Sequence, residues 1–262
     1  MVKRILAGTI GALILVGCGG SGSSGTAFVY GVNADPNVGG VTITANGTPV
    51  LSNAGFATSS SSFVTVSSGA NAQVFATNST GGQLAGTTFA AGFLGGQYYS
   101  VYAYNSSAGA LAILPVDVTQ PPAGVGRVMF TNTSVFAPSV DAYVTTQTVP
   151  TGLVPNASGV GVFNSGFASE VNNIPPGTYN VIFTQSGTQN IVATASGVAV
   201  ATVTTGAGEN VINVVGITDA PGTTTPALQQ ALTPIIYLPV TGATAPSFAA
   251  RPIIINGSKV KN

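Results

Sequence analysis

The chain has 262 residues, 45% of them apolar and only 5% charged, with six basic and six acidic side chains, one cysteine, and neither histidine nor tryptophan. So few basic residues cannot form the patch that neutralises a run of phosphates, which argues against nucleic acid as a partner. Without histidine, a Ser-His-Asp or Cys-His triad and the usual zinc sites lack their ligands, and no cofactor is expected.

Taken in order, the chain opens with Lys3 and Arg4, continues through an uncharged and mostly apolar run over 5–17, and reaches Leu15, Val16, Gly17 and Cys18. The run fits the roughly 7–15 residues of a signal-peptide core and falls short of the roughly 20 that span a bilayer as a helix. The pattern resembles a bacterial lipobox, Leu15-Val16-Gly17 leading to Cys18. That resemblance implies removal of 1–17, lipidation of Cys18, and a mature chain held at the membrane by its acyl groups, palmitate among them. Two or more such chains anchor stably where one holds only marginally. The alternative is an ordinary cleaved signal with Cys18 incidental. The lipoprotein reading places the chain in the bacterial cell envelope, at the outer membrane or cell surface. Residues 19–25 are all Gly or Ser and read as a flexible tether, completing a segment 18–25 of anchor and spacer.

From residue 26 the texture turns to short β-type runs between Gly, Ser and Asn. Residues 41–44 alternate apolar and polar, Asn46-Gly47 suits a two-residue type I′ turn, and 49–51 begins the return of a hairpin. Strands are expected at 62–66, 72–77, 98–104 and 110–116, and no stretch has a helical period. Gln120-Pro121-Pro122-Ala123-Gly124 then reads as an extended connector, because proline fixes φ and removes a donor. After it, strands are expected at 128–131, 140–144, 178–184, 190–194, 198–204 and 210–215, with 228–240 and 252–256 able to add last strands. The expected fold is all-β: a tandem pair of Ig-like antiparallel β-sandwich domains after a lipoprotein signal peptide, at 26–119 and 125–240, joined by a Pro-rich linker at 120–124 and followed by a C-terminal strand or tail at 241–262.

The two halves answer one another at a spacing near 100 residues. Asn33-Ala34-Asp35-Pro36 before Val41-Thr42-Ile43 corresponds to Asn132-Thr133-Ser134 and Pro138 before Val140-Asp141-Ala142-Tyr143-Val144, and Gly55-Phe56-Ala57-Thr58 to Gly166-Phe167-Ala168-Ser169. This series, with Ile174-Pro175-Pro176-Gly177-Thr178-Tyr179-Asn180-Val181, resembles the bacterial family called domain of unknown function 4397, where a strand of the type V-D-V-Y-V precedes P-A-G-T-Y-x-V. The first half departs from it at Thr42, where the family usually has Asp, and both halves have Asn33 or Asn132 where His is frequent. The resemblance implies an exported Ig-like sandwich and no defined activity.

Two sets of residues are candidates for binding. In a strand over 98–104, period two puts Tyr98, Tyr102 and Tyr104 on one face and Tyr99, Val101 and Ala103 on the other. An exposed tyrosine face offers a rigid amphipathic surface to sugar rings or to a protein, whereas a covered one is simply core. Asp35 and Asp141 sit at strand ends or starts in the two copies; they either accept backbone N–H groups at turns or serve a calcium or ligand site, though no D-x-D-x-D cluster is present. The Asn-x-Ser/Thr triplets, such as Asn46 and Asn156, read as a by-product of composition in a bacterial lipoprotein. The expectation is a non-catalytic lipoprotein, bound to the membrane by its anchor, that serves as a binding or structural module for a polysaccharide or protein. The alternative is a carboxylate-dependent hydrolase acting on envelope glycans.

Overall fold

The computed structural model describes residues 25–104, 110–116, 124–161, 169–200, 209–221, 229–239 and 250–255. The lipobox, Cys18, the tether, most of the Pro-rich connector and Gly166-Phe167-Ala168 lie outside the described residues. Every regular element among those described is a β-strand.

The first unit is a sandwich of two sheets. One contains β2 (Val41–Ala45), β3 (Thr48–Ala54), β6 (Ala72–Asn78) and β7 (Gln83–Phe89) in the order β3-β2-β6-β7. The other has the order β4-β1-β8-β9, built from β1 (Thr26–Ala34), β4 (Thr58–Ser59), β8 (Tyr98–Tyr104) and β9 (Ala110–Pro115), with β5 (Val64–Ser67) also paired to β1. The expected hairpin is present: Asn46 and Gly47 have φ of 46° and 79°, the two positive values a type I′ turn requires, and Ala45 pairs with Thr48. Alternation then sends Val41, Ile43, Val74 and Ala76 into a core shared with Val29, Val101 and Ala103 from the facing sheet.

The second unit repeats this topology. β11 (Ser139–Thr145), β12 (Ala157–Gly161), β14 (Gly177–Gln185) and β15 (Ile191–Val200) form a sheet ordered β12-β11-β14-β15. It faces a second sheet ordered β13-β10-β16-β17-β18, made of β10 (Gly126–Asn132), β13 (Ser169–Ile174), β16 (Glu209–Asp219), β17 (Gln229–Pro239) and β18 (Ala250–Ile255). β1 runs parallel to β8, and β10 runs parallel to β16 in the same way, so the duplication read from sequence is a duplication of pairing. Val128, Phe130, Val140, Ala142, Val181 and Phe183 lead the second core, where the rings of Phe130 and Phe183 meet edge to face at 6.0 Å.

Six strand assignments differ from the sequence expectation. No strand is expected from the sequence at β1, β4, β7, β12 or β13, and the separate runs at 190–194 and 198–204 fall on a single strand, β15, over 191–200 of the described residues. β1 is buried on both faces, so it lacks the apolar–polar alternation that advertises a strand. β7 carries Gly86 and two adjacent threonines instead of a branched apolar run. β15 stays continuous through Gly197, whose φ of 72° accompanies a register shift against β14.

The two sandwiches are stacked. Tyr30, Val32, Tyr102, Ala112 and Leu114, on the face of the β1 sheet turned away from its own core, form a third cluster with Met129 of β10. Thr131, two residues beyond Met129, hydrogen-bonds the Tyr102 hydroxyl, and the Thr218 hydroxyl donates to Ala34 O at 2.6 Å. The β1 and β10 sheets therefore face one another between the two cores, and the β2 sheet is the outer layer on the side of the first sandwich.

Candidate functional site

The two candidate aspartates both serve backbone architecture. Asp35 follows β1 and is 5% exposed; its Oδ1 accepts from Asn37 N at 2.9 Å, and its own N–H donates to Asn33 Oδ1 at 3.0 Å. Burial pushes its carboxyl above the usual aspartate range, a rise that the Asn37 N–H partly offsets. Asn132 repeats the role of Asn33: its Oδ1 accepts from Ser134 N at 2.9 Å, while its amide donates to Ala137 O and Val160 O. This explains why an amide serves at both positions: it accepts within the turn and donates across it.

Asp141 lies on β11, again 5% exposed, and gathers three donors: Gly159 N at 2.9 Å, Ser186 Oγ at 3.0 Å and Gly187 N at 2.8 Å. It ties β12 and the β14–β15 turn to the middle of β11. In the first sandwich Thr42 stands in the corresponding place on β2 and accepts Asn53 N at 3.0 Å. Thr42 thus keeps the bond to the neighbouring edge strand and gives up the reach to a second turn. Both aspartates match the turn-capping reading of the sequence.

A third carboxylate was not singled out from sequence. Asp219, at the end of β16, is fully buried and accepts from Ser134 Oγ at 2.5 Å, Val135 N at 3.0 Å and Phe136 N at 3.4 Å. It holds the turn after β10 next to the contact between the sandwiches, where its neighbour Thr218 reaches Ala34. Its only signal in sequence was an acid at the end of an apolar run. The donors lie more than eighty residues away.

The tyrosines fall on faces as period two requires, but the face is not an open one. Tyr102 is 1% exposed within the cluster between the sandwiches; Tyr98 and Tyr104 are partly buried against it. Tyr98 stacks on Phe28 at 4.6 Å and meets Phe63 edge-on at 5.1 Å. Burial raises the phenol pKa of Tyr102, and that of Tyr30, whose hydroxyl is 2.7 Å from Ser59 Oγ. The premise of a platform open along its length therefore fails at Tyr102, because the second sandwich covers it.

Among the described residues no three His, Cys, Asp or Glu side chains come together as a metal site, and no helix is long and apolar enough to cross a membrane. A shallow groove of about 350 Å³ runs between β3 and the serines around Ser59–Ser62, and a smaller one of about 200 Å³ lies beside Pro138 and Gln185.

The architecture defines a class: an all-β protein of two sandwiches with one repeated topology. Residues 27–143 match the model of a family described as Domain of unknown function (DUF4397), the family that the motifs resemble. The match spans the first sandwich and ends within β11, so of the second half's motifs it includes Val140-Asp141-Ala142-Tyr143 and not the Pro-Pro-Gly turn before β14. No curated protein matches the chain.

Proposed function

We propose that this protein is a non-catalytic, lipid-anchored module of the bacterial envelope or cell surface, whose stacked sandwiches engage a polysaccharide or protein partner. The lipobox pattern ending at Cys18 supports the anchor. The observation that carries the non-catalytic reading is the use made of the acids whose side chains are described: Asp35, Asp141 and Asp219 are all buried and accept turn or strand N–H groups. Paired-carboxylate hydrolysis needs two acids about 5–10 Å apart with oxygens free for water and substrate. In Asp141 and Asp219 both oxygens accept hydrogen bonds from the protein, and in Asp35 Oδ1 does.

The test is protease shaving of intact cells, comparing the natural chain with Cys18→Ser. Release of sandwich fragments from intact cells only when Cys18 is present supports surface display; cleavage only after outer-membrane permeabilisation supports a periplasmic facing. If Cys18→Ser fractionates with membranes as the natural chain does, the anchor is overturned. Hydrolysis of envelope glycans by the purified chain, lost on an Asp→Asn or Glu→Gln change, would overturn the non-catalytic part.

A further inference from the structure

The β2 sheet is an outer layer, and the face it turns away from its core sets an exposed aromatic ring among hydroxyl and amide side chains. Its outward positions include Pro49 on β3, Thr42 and Thr44 on β2, Gln73, Phe75 and Thr77 on β6, and Gly86 and Thr88 on β7. Phe75 is 38% exposed in the middle of this field, with Thr44 opposite it on one side and Gly86 on the other. A Cβ built on Gly86 would lie 2.8 Å from Phe75 Cδ1 and 3.0 Å from Cε1. The ring therefore leans across β7 into the space that a side chain at 86 would fill, one side on the sheet and the rest in solvent. Beside it, Gln73 Nε2 donates to Thr88 Oγ1 at 3.0 Å, which fixes an amide and a hydroxyl next to the ring.

The charge pattern narrows what this face can hold. No Asp, Glu, Lys, Arg or His occurs from Pro36 to Val116, so every strand of this sheet, and the loops between them, are formally neutral. An anionic polymer would gain no ion pair here, and a charged protein surface would lose hydration without compensation. A lone aromatic set among hydroxyls and amides is also a poor protein anchor, which draws on a contiguous apolar centre. An uncharged polyol matches on all counts: the C–H face of a sugar ring stacks on an aromatic, and its hydroxyls exchange hydrogen bonds with Thr and Gln side chains. The corresponding sheet of the second sandwich has no such face, since Tyr143 and Ile182, at its outward positions, are 4% and 0% exposed.

We propose that the Phe75 face of the first sandwich binds a neutral polysaccharide, with Phe75 as the stacking residue, Gly86 as the residue that seats its ring, and Gln73, Thr44 and Thr88 as hydrogen-bonding neighbours. This rests on the binding-module reading above and names its ligand class and its site.

Affinity electrophoresis and calorimetry of the purified full-length chain test it, with hydroxyethylcellulose, dextran and galactomannan as neutral probes and polygalacturonate as the anionic control. The expected result is retardation by at least one neutral probe and not by polygalacturonate, unchanged between low and high salt, because no ion pairs are involved. Phe75→Ala weakens it about tenfold, the order of one lost aromatic stacking contact. Phe75→Tyr retains it, and Gly86→Ala weakens it by displacing the ring while leaving it present. Melting temperatures of all three variants separate loss of binding from loss of fold. Equal binding by folded Phe75→Ala overturns the site while leaving a binding module elsewhere. Binding of none of the neutral probes, or preference for polygalacturonate, overturns the ligand class, while the Cys18 shaving experiment judges the anchored module independently.

Discussion

Asp141 and Thr42 occupy matching places in the two sandwiches and show how one residue sets the reach of a clasp. The Asp141 carboxylate holds Gly159, Ser186 and Gly187 together; the Thr42 hydroxyl holds Asn53 alone. Replacing Asp141 with Ala removes an acceptor shared by three donors, and hydrogen bonds to a charged group carry more than neutral ones. The expected loss is about 3 kcal/mol, read as a lower denaturation midpoint with partner binding retained. Asp141→Thr should recover part of that loss, through Gly159 only. Loss of binding with unchanged melting would show that Asp141 serves a ligand and not the fold.

Asp35 makes a prediction of a different kind. Burial raises its folded carboxyl above the unfolded value, so the folded state holds the proton more tightly than the unfolded chain does. The resulting stabilisation is fully present below the unfolded pKa of about 4 and is lost as pH rises through the folded value. Asp35→Asn keeps an oxygen for Asn37 N and carries no charge. It should therefore melt higher than the natural chain at neutral pH, with the difference closing below about pH 4. A constant difference across that range, measured by thermal melts in a pH series, would exclude Asp35 ionisation as the cause.

At the scale of elements, Gly92 shows where backbone freedom is indispensable. The β5–β6 and β7–β8 connections meet in a short bridge: Gly69 N donates to Phe93 O at 2.8 Å, and Phe93 N to Gly69 O at 3.0 Å. Gly92 sits beside it with φ of 71°, and a Cβ there would overlap Gly69 O and lie 2.6 Å from Ala70 Cα. Gly92→Ala must open the bridge and shift Phe93, which is 1% exposed in the first core, at an expected loss of about 3 kcal/mol. Hydrogen exchange should show the 69 and 93 amides losing protection first. Gly47, also at positive φ, has nothing within 4 Å of such a Cβ, and its replacement should cost far less.

At the scale of the whole molecule, the contact between the inner sheets decides whether the sandwiches behave as one body. Met129 is 6% exposed in a cluster otherwise drawn from the first sandwich, with the Tyr102–Thr131 and Thr218–Ala34 hydrogen bonds beside it. Buried apolar contact of this kind couples unfolding of the two halves, so calorimetry should record one transition. Met129→Lys puts an unpaired charge into that layer and should split the transition in two, each half still melting cooperatively. Two transitions in the natural chain would show the stack to be energetically slight. Gly216 belongs to the same layer: it lies opposite Thr131, and a Cβ there would overlap the Thr131 hydroxyl that bonds Tyr102.

Local chemistry alone determined the all-β class, the Asn46-Gly47 hairpin, the duplication at a spacing near 100 residues, and the division of Tyr98 to Tyr104 into two faces. Each depends on turn residues, period two or internal comparison, and these act over a few positions. Tertiary structure decided the rest. Period two shows that a strand has two faces and not which of them a second sheet covers, so Tyr102 became core when the β10 sheet stacked on it. β1 was hidden for the same reason, since a strand buried on both sides loses its alternation. Asp219 and Phe75 stood in the sequence as an acid after an apolar run and one aromatic among twelve phenylalanines. Distant backbone donors turned the first into a buried clasp, and an open outer layer with a glycine beside it left the second in reach of solvent.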